Sequence, residues 1–374
     1  MTYRLYARCV GAPAQRGPRL RELGLHIGRF EAGTADAITD VTGVTVGHVT
    51  VWRDEPDLPE GRGVARTGVT AVLPAPVETL YGAPVPAGMA VLNGAGELTG
   101  SLVIAEWGRI ETPVYLTSTH AVGRVYDGAV SVAVAADPDV GTEGVVIPVV
   151  GECDDSWLSE ARLVQVEAED AGRAVAAAAG GAVAEGAVGA GTGMMTKGYK
   201  AGIGTASRLV PSIGGGVGVL VLSNFYPPPG LVMDGVPIGD LLGEPPDARR
   251  TRAGSCIAVV AVDAPLASHQ LVRVARRAGL GLARCGSVAH HGSGEIFVAF
   301  APPGQRARGD AAVAGIPGYD LNDIFEAVVD ATEEAVLNAL WAAPEVVGRE
   351  GRVAPALPHD DVLALLEEHG RITR

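Results

Sequence analysis

Short apolar runs recur along this 374-residue chain, each bounded by glycine or proline, and several are apolar on both faces. A strand that buries both faces belongs to a sheet covered on each side. The runs occupy residues 68–73, 114–117, 129–135, 145–150, 218–222, 256–262 and 296–300, and residues 41–51 alternate as a strand with two unlike faces. The pattern predicts an α/β protein with buried sheets.

Helical periodicity is found between and after these runs. It predicts helices over residues 156–166, 265–283 and 321–342 and a short one after Asp360. Two proline-rich or polar stretches, 226–230 and 243–252, predict an exposed excursion between Asn224 and Ser255. At this length the chain could form two or three domains or one large α/β body.

Charge and cysteine usage exclude several classes of protein. Twenty-nine Lys and Arg oppose 43 Asp and Glu, giving a net charge of −14, and only Lys197 and Lys200 are lysines. Binding to nucleic acid or an anionic membrane needs clustered positive charge, so neither partner is expected. The four cysteines lie far apart without a CxxC pair, which predicts buried free thiols. Residues 1–13 contain no apolar run of signal-peptide length, so we expect a cytoplasmic protein.

The junction Gly254-Ser255 separates a polar, basic loop from a strongly apolar run. Glycine gives the backbone freedom for the Ser255 hydroxyl to approach the preceding carbonyl and cleave the chain. Ser255 would then have a free α-amine with a reference pKa of about 7.7 to 8.0. The hydroxyl of Ser255 would act as the nucleophile and its α-amine as the general base. The alternative is that Ser255 merely opens a strand.

Three further side chains are candidates for the same chemistry. Ser293 and Glu295 are two residues apart in a predicted strand and therefore project to one side, where hydroxyl and carboxylate can meet. Asn224 ends another apolar run, where its amide could stabilise an oxyanion or simply satisfy a loop backbone.

Together with these residues, nine collinear segments resemble the self-processing aminopeptidases typified by DmpA and the β-peptidyl aminopeptidases. The segments are residues 93–100, 114–128, 148–153, 200–208, 217–225, 254–266, 276–287, 292–300 and 331–340. They extend over most of the chain, which makes the resemblance specific.

The resemblance implies a role for each matching residue. It makes Gly254-Ser255 the self-cleavage point and Ser255 the nucleophile, with Ser293 and Glu295 as the supporting serine and acid. It makes Asn224 the oxyanion-hole residue and Glu152 the carboxylate that holds the substrate's free amino group. The family commonly has an aromatic residue two positions after that Glu, whereas this chain has Asp154, so a second donor is expected from Trp157 or the backbone.

The resemblance also implies an αββα sandwich of the N-terminal-nucleophile kind, a single domain of residues 1–374 cleaved into 1–254 and 255–374. The expected substrates are short peptides and aminoacyl amides or esters, with no metal or organic cofactor, and the processed protomers are expected to form a homo-oligomer. Two alternatives stay open. One is an acyltransferase of the same fold, which Ser255 disfavours because those enzymes use a threonine nucleophile. The other is a non-catalytic scaffold. The preference among L-, D- and β-aminoacyl groups is not determined by the sequence.

Overall fold

A computed structural model describes residues 15–226, 230–243, 245, 253–302 and 315–373. The strands are β1 (Thr45–Asp54), β2 (Val64–Leu73), β3 (Val85–Gly94), β4 (Arg109–Ile110), β5 (Val114–Ser118), β6 (Val149–Cys153), β7 (Met195–Thr196), β8 (Tyr199–Lys200), β9 (Ile203–Val210), β10 (Gly215–Asn224), β11 (Ala253–Val262), β12 (Gly292–Phe300), β13 (Val346–Val347) and β14 (Val353–Ala354). The α-helices are α1 (Val77–Leu80), α2 (Ser101–Trp107), α3 (Val122–Ala136), α4 (Glu169–Ala176), α5 (Ile238–Leu242), α6 (Ser268–Arg284), α7 (Leu321–Trp341) and α8 (His359–Glu368).

Two main sheets carry the fold. The first has the strand order β1-β2-β5-β6, and the second has the order β4-β3-β12-β11-β10-β9. The pairs β5–β6 and β11–β12 are parallel, whereas β10–β11 and β12–β3 are antiparallel. Two short hairpins, β7–β8 and β13–β14, lie outside these sheets.

Alternate residues of β11 face two different cores. Ile257 and Val259 join a cluster that draws on both sheets, whereas Ala258 and Val260 join a cluster with residues of α6 and α7. A third cluster covers the outer face of the first sheet with α3 and α4. The layers are therefore helix, sheet, sheet, helix, which confirms the predicted αββα sandwich and explains why the strands are apolar on both faces.

Two local predictions are wrong, and a third is right only in part, since of residues 145–150 only Val149 and Val150 lie in a strand, at the start of β6. Residues 129–135 lie in α3 and not in a strand, because a short apolar run of Ala and Val fits a buried helix equally well. Residues 156–166 form turns, since their polar groups bond to β2. The Glu160 N–H donates to the Val64 carbonyl, and the Arg66 N–H donates to the Ser159 hydroxyl.

The segment between Asn224 and Ser255 also differs from expectation where the structure describes it. Leu231, Met233 and Ile238 are buried in the core beside α6 and α7. This part of the segment is therefore no exposed excursion, whereas residues 240, 241 and 243 are exposed as predicted. Most of the two predicted linkers, residues 227–229, 244 and 246–252, lies outside the described residues. Across the described ranges, no helix combines the length with the apolar character that a membrane span requires.

Candidate active site

Strand register gathers the predicted catalytic residues at one end of the second sheet. Asn224, the last residue of β10, pairs with Ser255 of β11. On the other side of β11, Gly254 pairs with Ser293 and Ser255 with Gly294. The side chains of Asn224, Ser255, Ser293 and Glu295 are all buried. Three adjacent strands therefore carry the residues that the sequence predicted to act together.

The Ser255 hydroxyl points between the two sheets. Alternation along β11 places Ser255 on the same face as Ile257, which lies in the core between the sheets. From the opposite sheet, the thiol of Cys153 lies within hydrogen-bonding reach of the Ser255 hydroxyl. Burial raises the pKa of Cys153 well above its ordinary value, so this neighbour of the hydroxyl is a neutral thiol.

Gly254 is packed where a side chain has no room. A Cβ atom built on it would lie 2.9 Å from the Asn224 carbonyl oxygen, 2.9 Å from Cα of Phe225 and 3.0 Å from the Tyr226 nitrogen. All three are backbone atoms, which cannot move aside as the end of a flexible side chain can. The residue before Ser255 is therefore restricted to glycine by packing.

Ser293 and Glu295 form the hydrogen-bonded pair that their spacing predicts. The Ser293 hydroxyl donates to Oε1 of Glu295, while Oε2 of Glu295 is buried without a hydrogen-bond partner among the described residues. Burial raises the pKa of Glu295, and the bond from Ser293 partly opposes that rise. The register pairs Ser293 with Gly254 and Glu295 with Cys256. Both side chains therefore project to the face of the sheet opposite the Ser255 hydroxyl.

The Asn224 amide is held from two directions. Its Oδ1 accepts a hydrogen bond of 3.0 Å from the Met195 N–H, and its Nδ2 donates to the Asp154 carbonyl at 2.9 Å. These bonds fix the orientation of the amide. One hydrogen of the Nδ2 group goes to Asp154, so the predicted oxyanion role of Asn224 would fall to the second.

Glu152 lies at the end of β6, at the margin of the first sheet. Its Oε1 accepts a 2.9 Å hydrogen bond from the Glu97 N–H, and its Oε2 accepts one from the Thr119 hydroxyl. Burial raises the pKa of Glu152, and the two hydrogen bonds oppose the rise. A Cβ atom built on exposed Gly96 would lie 3.0 Å from Oε1 of Glu152 and 3.5 Å from Cα of Gly294. Glu152 thus approaches the strand that flanks Ser255.

Asp154 and Trp157 occupy the loop after β6. The Asp154 carboxylate accepts a 2.8 Å hydrogen bond from the Ser156 N–H, so it serves its own loop. The Trp157 ring lies beneath the Arg352 guanidinium at 4.5 Å, and its indole N–H is buried without a partner among the described residues. The role of Trp157 in substrate binding stays a prediction.

Sequence reasoning missed three residues that hold the site together. Thr119 anchors Glu152, Met195 anchors Asn224, and Cys153 contacts Ser255. Thr119 had a usable signal, since it follows the end of β5, the parallel neighbour of the strand that carries Glu152. Within the described part of the chain, no three His, Cys, Asp or Glu side chains are grouped as metal ligands would be.

Comparison with known proteins assigns the family. The profile of peptidase family S58 matches residues 36–354. The chain is 41% identical to the β-peptidyl aminopeptidase BapA of Sphingosinicella microcystinivorans, over 97% of this chain and 95% of that protein.

Solved structures agree with that match. The L-aminopeptidase D-Ala-esterase/amidase of Ochrobactrum anthropi, described as a variant of the Ntn hydrolase fold, superposes with a TM-score of 0.86 at 36% identity, over 96% of this chain and 100% of that one. A β-aminopeptidase of Burkholderia sp. superposes with a TM-score of 0.85 at 38% identity, over 94% and 99%. The chain therefore belongs to peptidase family S58 and is an aminopeptidase.

Proposed function

We propose that the chain cleaves itself between Gly254 and Ser255 and that the mature enzyme hydrolyses N-terminal aminoacyl bonds through an acyl-enzyme on Ser255. The observation that carries this proposal is the register of three strands, which aligns Asn224 and Ser255 on one rung and Gly254 and Ser293 on the next. An oxyanion donor, a hydroxyl nucleophile and a hydroxyl-carboxylate pair then surround one peptide bond.

Self-cleavage begins with the Ser255 hydroxyl. Its oxygen adds to the carbonyl carbon of Gly254, the C–N bond breaks, and the hydroxyl proton passes to the departing nitrogen. The products are an ester and a free α-amine on Ser255. Water then hydrolyses the ester, which leaves a Gly254 carboxylate and restores the Ser255 hydroxyl. The two chains would comprise residues 1–254 and 255–374.

The new α-amine serves as the general base in each turnover. It takes the hydroxyl proton as Ser255 attacks the substrate carbonyl, and it returns that proton to the leaving amine or alcohol. Water then attacks the acyl-enzyme by the same route. Asn224 donates to the oxyanion in both steps. The unpartnered Oε2 of Glu295 is available to the amine in its protonated form, because a buried carboxylate oxygen needs a donor.

Glu152 selects substrates that carry a free amino terminus. Its carboxylate is buried and accepts hydrogen bonds from two donors. Because Gly96 has no side chain, space remains between this carboxylate and Gly294. A substrate ammonium would pair with this carboxylate while the scissile carbonyl reaches Ser255. The substrates are short peptides, aminoacyl amides and aminoacyl esters.

The processed protomers associate into a homo-oligomer in this proposal. Apolar side chains are exposed on β3 and α2, including Val91, Leu92, Leu102 and Trp107, and contiguous exposed apolar surface is typical of association sites. We place the enzyme in the cytoplasm, where its three described, buried and unpaired cysteines would stay reduced.

Mass spectrometry of freshly purified protein tests the cleavage. Two fragments, one ending at Gly254 and one beginning at Ser255, are expected from the wild-type chain, and Ser255→Ala should remain whole. Ser131→Ala, which removes an exposed hydroxyl from α3, should cleave normally.

The acyl-enzyme is tested by rapid quenching with an aminoacyl p-nitrophenyl ester. The aminoacyl mass should be found on the peptide that begins with Ser255. An intact chain that still hydrolyses aminoacyl probes would disprove the proposed mechanism.

A further inference from the structure

A cavity of about 280 Å³ lies beside Glu152 and is not accounted for by the reaction described above. It is a partly open cavity that lies between the ends of β5 and β6 and the loop that follows β6. Its lining includes Thr67, Thr119, Asp154, Asp155, Glu160 and Gln165. Three of these residues carry carboxylates, and they differ in how far neighbouring groups compensate the negative charge.

Glu160 is neutralised by arginine. The Arg162 guanidinium bonds to both of its carboxylate oxygens, at 2.8 and 2.6 Å, and these bonds lower the pKa of Glu160 to about 2. The Arg162 side chain is 60% exposed and extends toward solvent. Glu160 therefore contributes little free negative charge to the cavity.

Asp155, unlike Glu160, has no arginine bonded to it among the described residues. Its side chain is buried, and its Oδ2 has no hydrogen-bond partner among the described residues. The Thr67 hydroxyl lies beside it and partly opposes the rise in its pKa. Burial raises the pKa of Asp155 to about 7. A buried carboxylate with an open oxygen in a polar cavity requires a donor, and a cation is the strongest donor available.

Two residues connect this cavity to the reaction site. Thr119 lines the cavity and donates its hydroxyl proton to Oε2 of Glu152. Asp154 also lines the cavity, and its carbonyl oxygen accepts a hydrogen bond from the Asn224 amide. The cavity is thus bounded by the partners of the two groups that would hold the substrate's ammonium and its oxyanion.

We infer that the cavity is a subsite for the cationic side chain of the substrate's N-terminal residue, with Asp155 as the counter-charge. The inference rests on the proposed function, because Glu152 must hold the α-ammonium for the side chain to enter. The substrate class is peptides and amides that begin with lysine, ornithine or a similar diamino acid. His120 also lines the cavity and partly opposes the rise in the pKa of Asp155, while its Nδ1 donates to the Ala161 carbonyl at 2.8 Å.

The test compares lysyl and norleucyl p-nitroanilides near pH 8, where Asp155 is mostly ionised. The two side chains are similar unbranched chains that differ in the terminal ammonium. We expect kcat/KM to be higher for the lysyl substrate by about tenfold or more, because its side-chain ammonium would pair with the buried carboxylate of Asp155. Asp155→Asn should bring the ratio close to one. Asp127→Asn, which removes a carboxylate from the exposed face of α3, should retain the wild-type ratio.

Binding gives a second readout that does not depend on turnover. Calorimetry should show that 1,5-diaminopentane binds the wild-type protein more tightly than pentylamine and that Asp155→Asn removes the difference. Equal hydrolysis of both anilides, or an unchanged ratio in Asp155→Asn, would overturn the subsite. A protein that hydrolyses neither anilide yet prefers the diamine through Asp155 would overturn the proposed function and retain the cationic subsite.

Discussion

Asn224 and Ser255 face each other across the last rung of the antiparallel pair formed by β10 and β11. The rung places an amide that is fixed by Met195 and Asp154 next to the serine at the predicted cleavage point. Because both residues are held by sheet backbone, their relation does not depend on loop conformation. A site built in this way can be probed by single isosteric changes without disturbing the fold.

Asn224→Asp tests the oxyanion donor. The new carboxylate can still accept the Met195 N–H, but it cannot donate to an oxyanion and it repels developing negative charge. We expect kcat to fall by about 10² to 10³-fold, the usual cost of removing one such donor, with a smaller change in KM. Steady-state kinetics on an alanyl p-nitroanilide provide the measurement. Asn322→Asp, an exposed change at the start of α7, is the control, and a loss equal to that control would refute the role of Asn224.

Gly254→Ala tests the packing at the cleavage point. A methyl group there would come within about 3.0 Å of three backbone atoms of residues 224–226, so the strand must shift and the carbonyl must leave its position. We expect self-cleavage to slow by at least about tenfold, since small displacements of reacting atoms are costly. A time course of fragment formation on a denaturing gel measures the rate.

The control for that variant is Gly123→Ala in α3, where an added methyl group meets no atom within 4 Å. It should cleave at the wild-type rate and be slightly more stable, because alanine favours a helix by up to about 1 kcal/mol over glycine. Equal cleavage rates in the two variants would contradict the packing argument.

Thr119→Val tests how Glu152 is kept ionised. Valine keeps the shape but removes a hydrogen bond to the charged carboxylate, so the pKa of Glu152, already raised by burial, should rise further. Binding of a substrate ammonium needs the ionised form. The acidic limb of the kcat/KM profile should therefore move to higher pH, while the plateau above it changes little. An acidic limb that stays in place would show that Glu152 does not control it, and Thr142→Val on an exposed turn serves as the control.

Asp155→Asn should change stability in a pH-dependent way. The pKa of Asp155 is raised by burial from 3.8 to about 7, so the folded state holds the proton more tightly than the unfolded state does. The stabilisation from this group is complete below its unfolded pKa and is lost as the pH rises toward 7.

Relative to the wild-type chain, the variant should therefore gain up to about 4 kcal/mol in free energy of unfolding between pH 4 and pH 8. Urea titrations at several pH values measure this gain. Asp127→Asn should show no such trend, and a flat difference for Asp155→Asn would mean that the carboxyl is not held neutral.

Much of the fold was predictable because strong local patterns agreed with the tertiary structure. The two-faced apolar runs at residues 218–222, 256–262 and 296–300 lie in β10, β11 and β12, and the predicted helices at 265–283 and 321–342 correspond to α6 and α7. The run at 129–135 was wrongly predicted as a strand, because alternating Ala and Val fits a strand and also fits the buried face of α3 against α4.

The sequence by itself determined which chemical groups the site contains and that Ser293 and Glu295 converge, since a spacing of two along a strand fixes their common side. Only the tertiary structure decided which groups meet across strands. Asn224 faces Ser255 through sheet register, and Thr119 reaches Glu152 because β5 and β6 end side by side. The burial of Asp155 beside a cavity was equally invisible in the sequence, because burial depends on elements that are distant in the chain, and no local pattern encodes their packing.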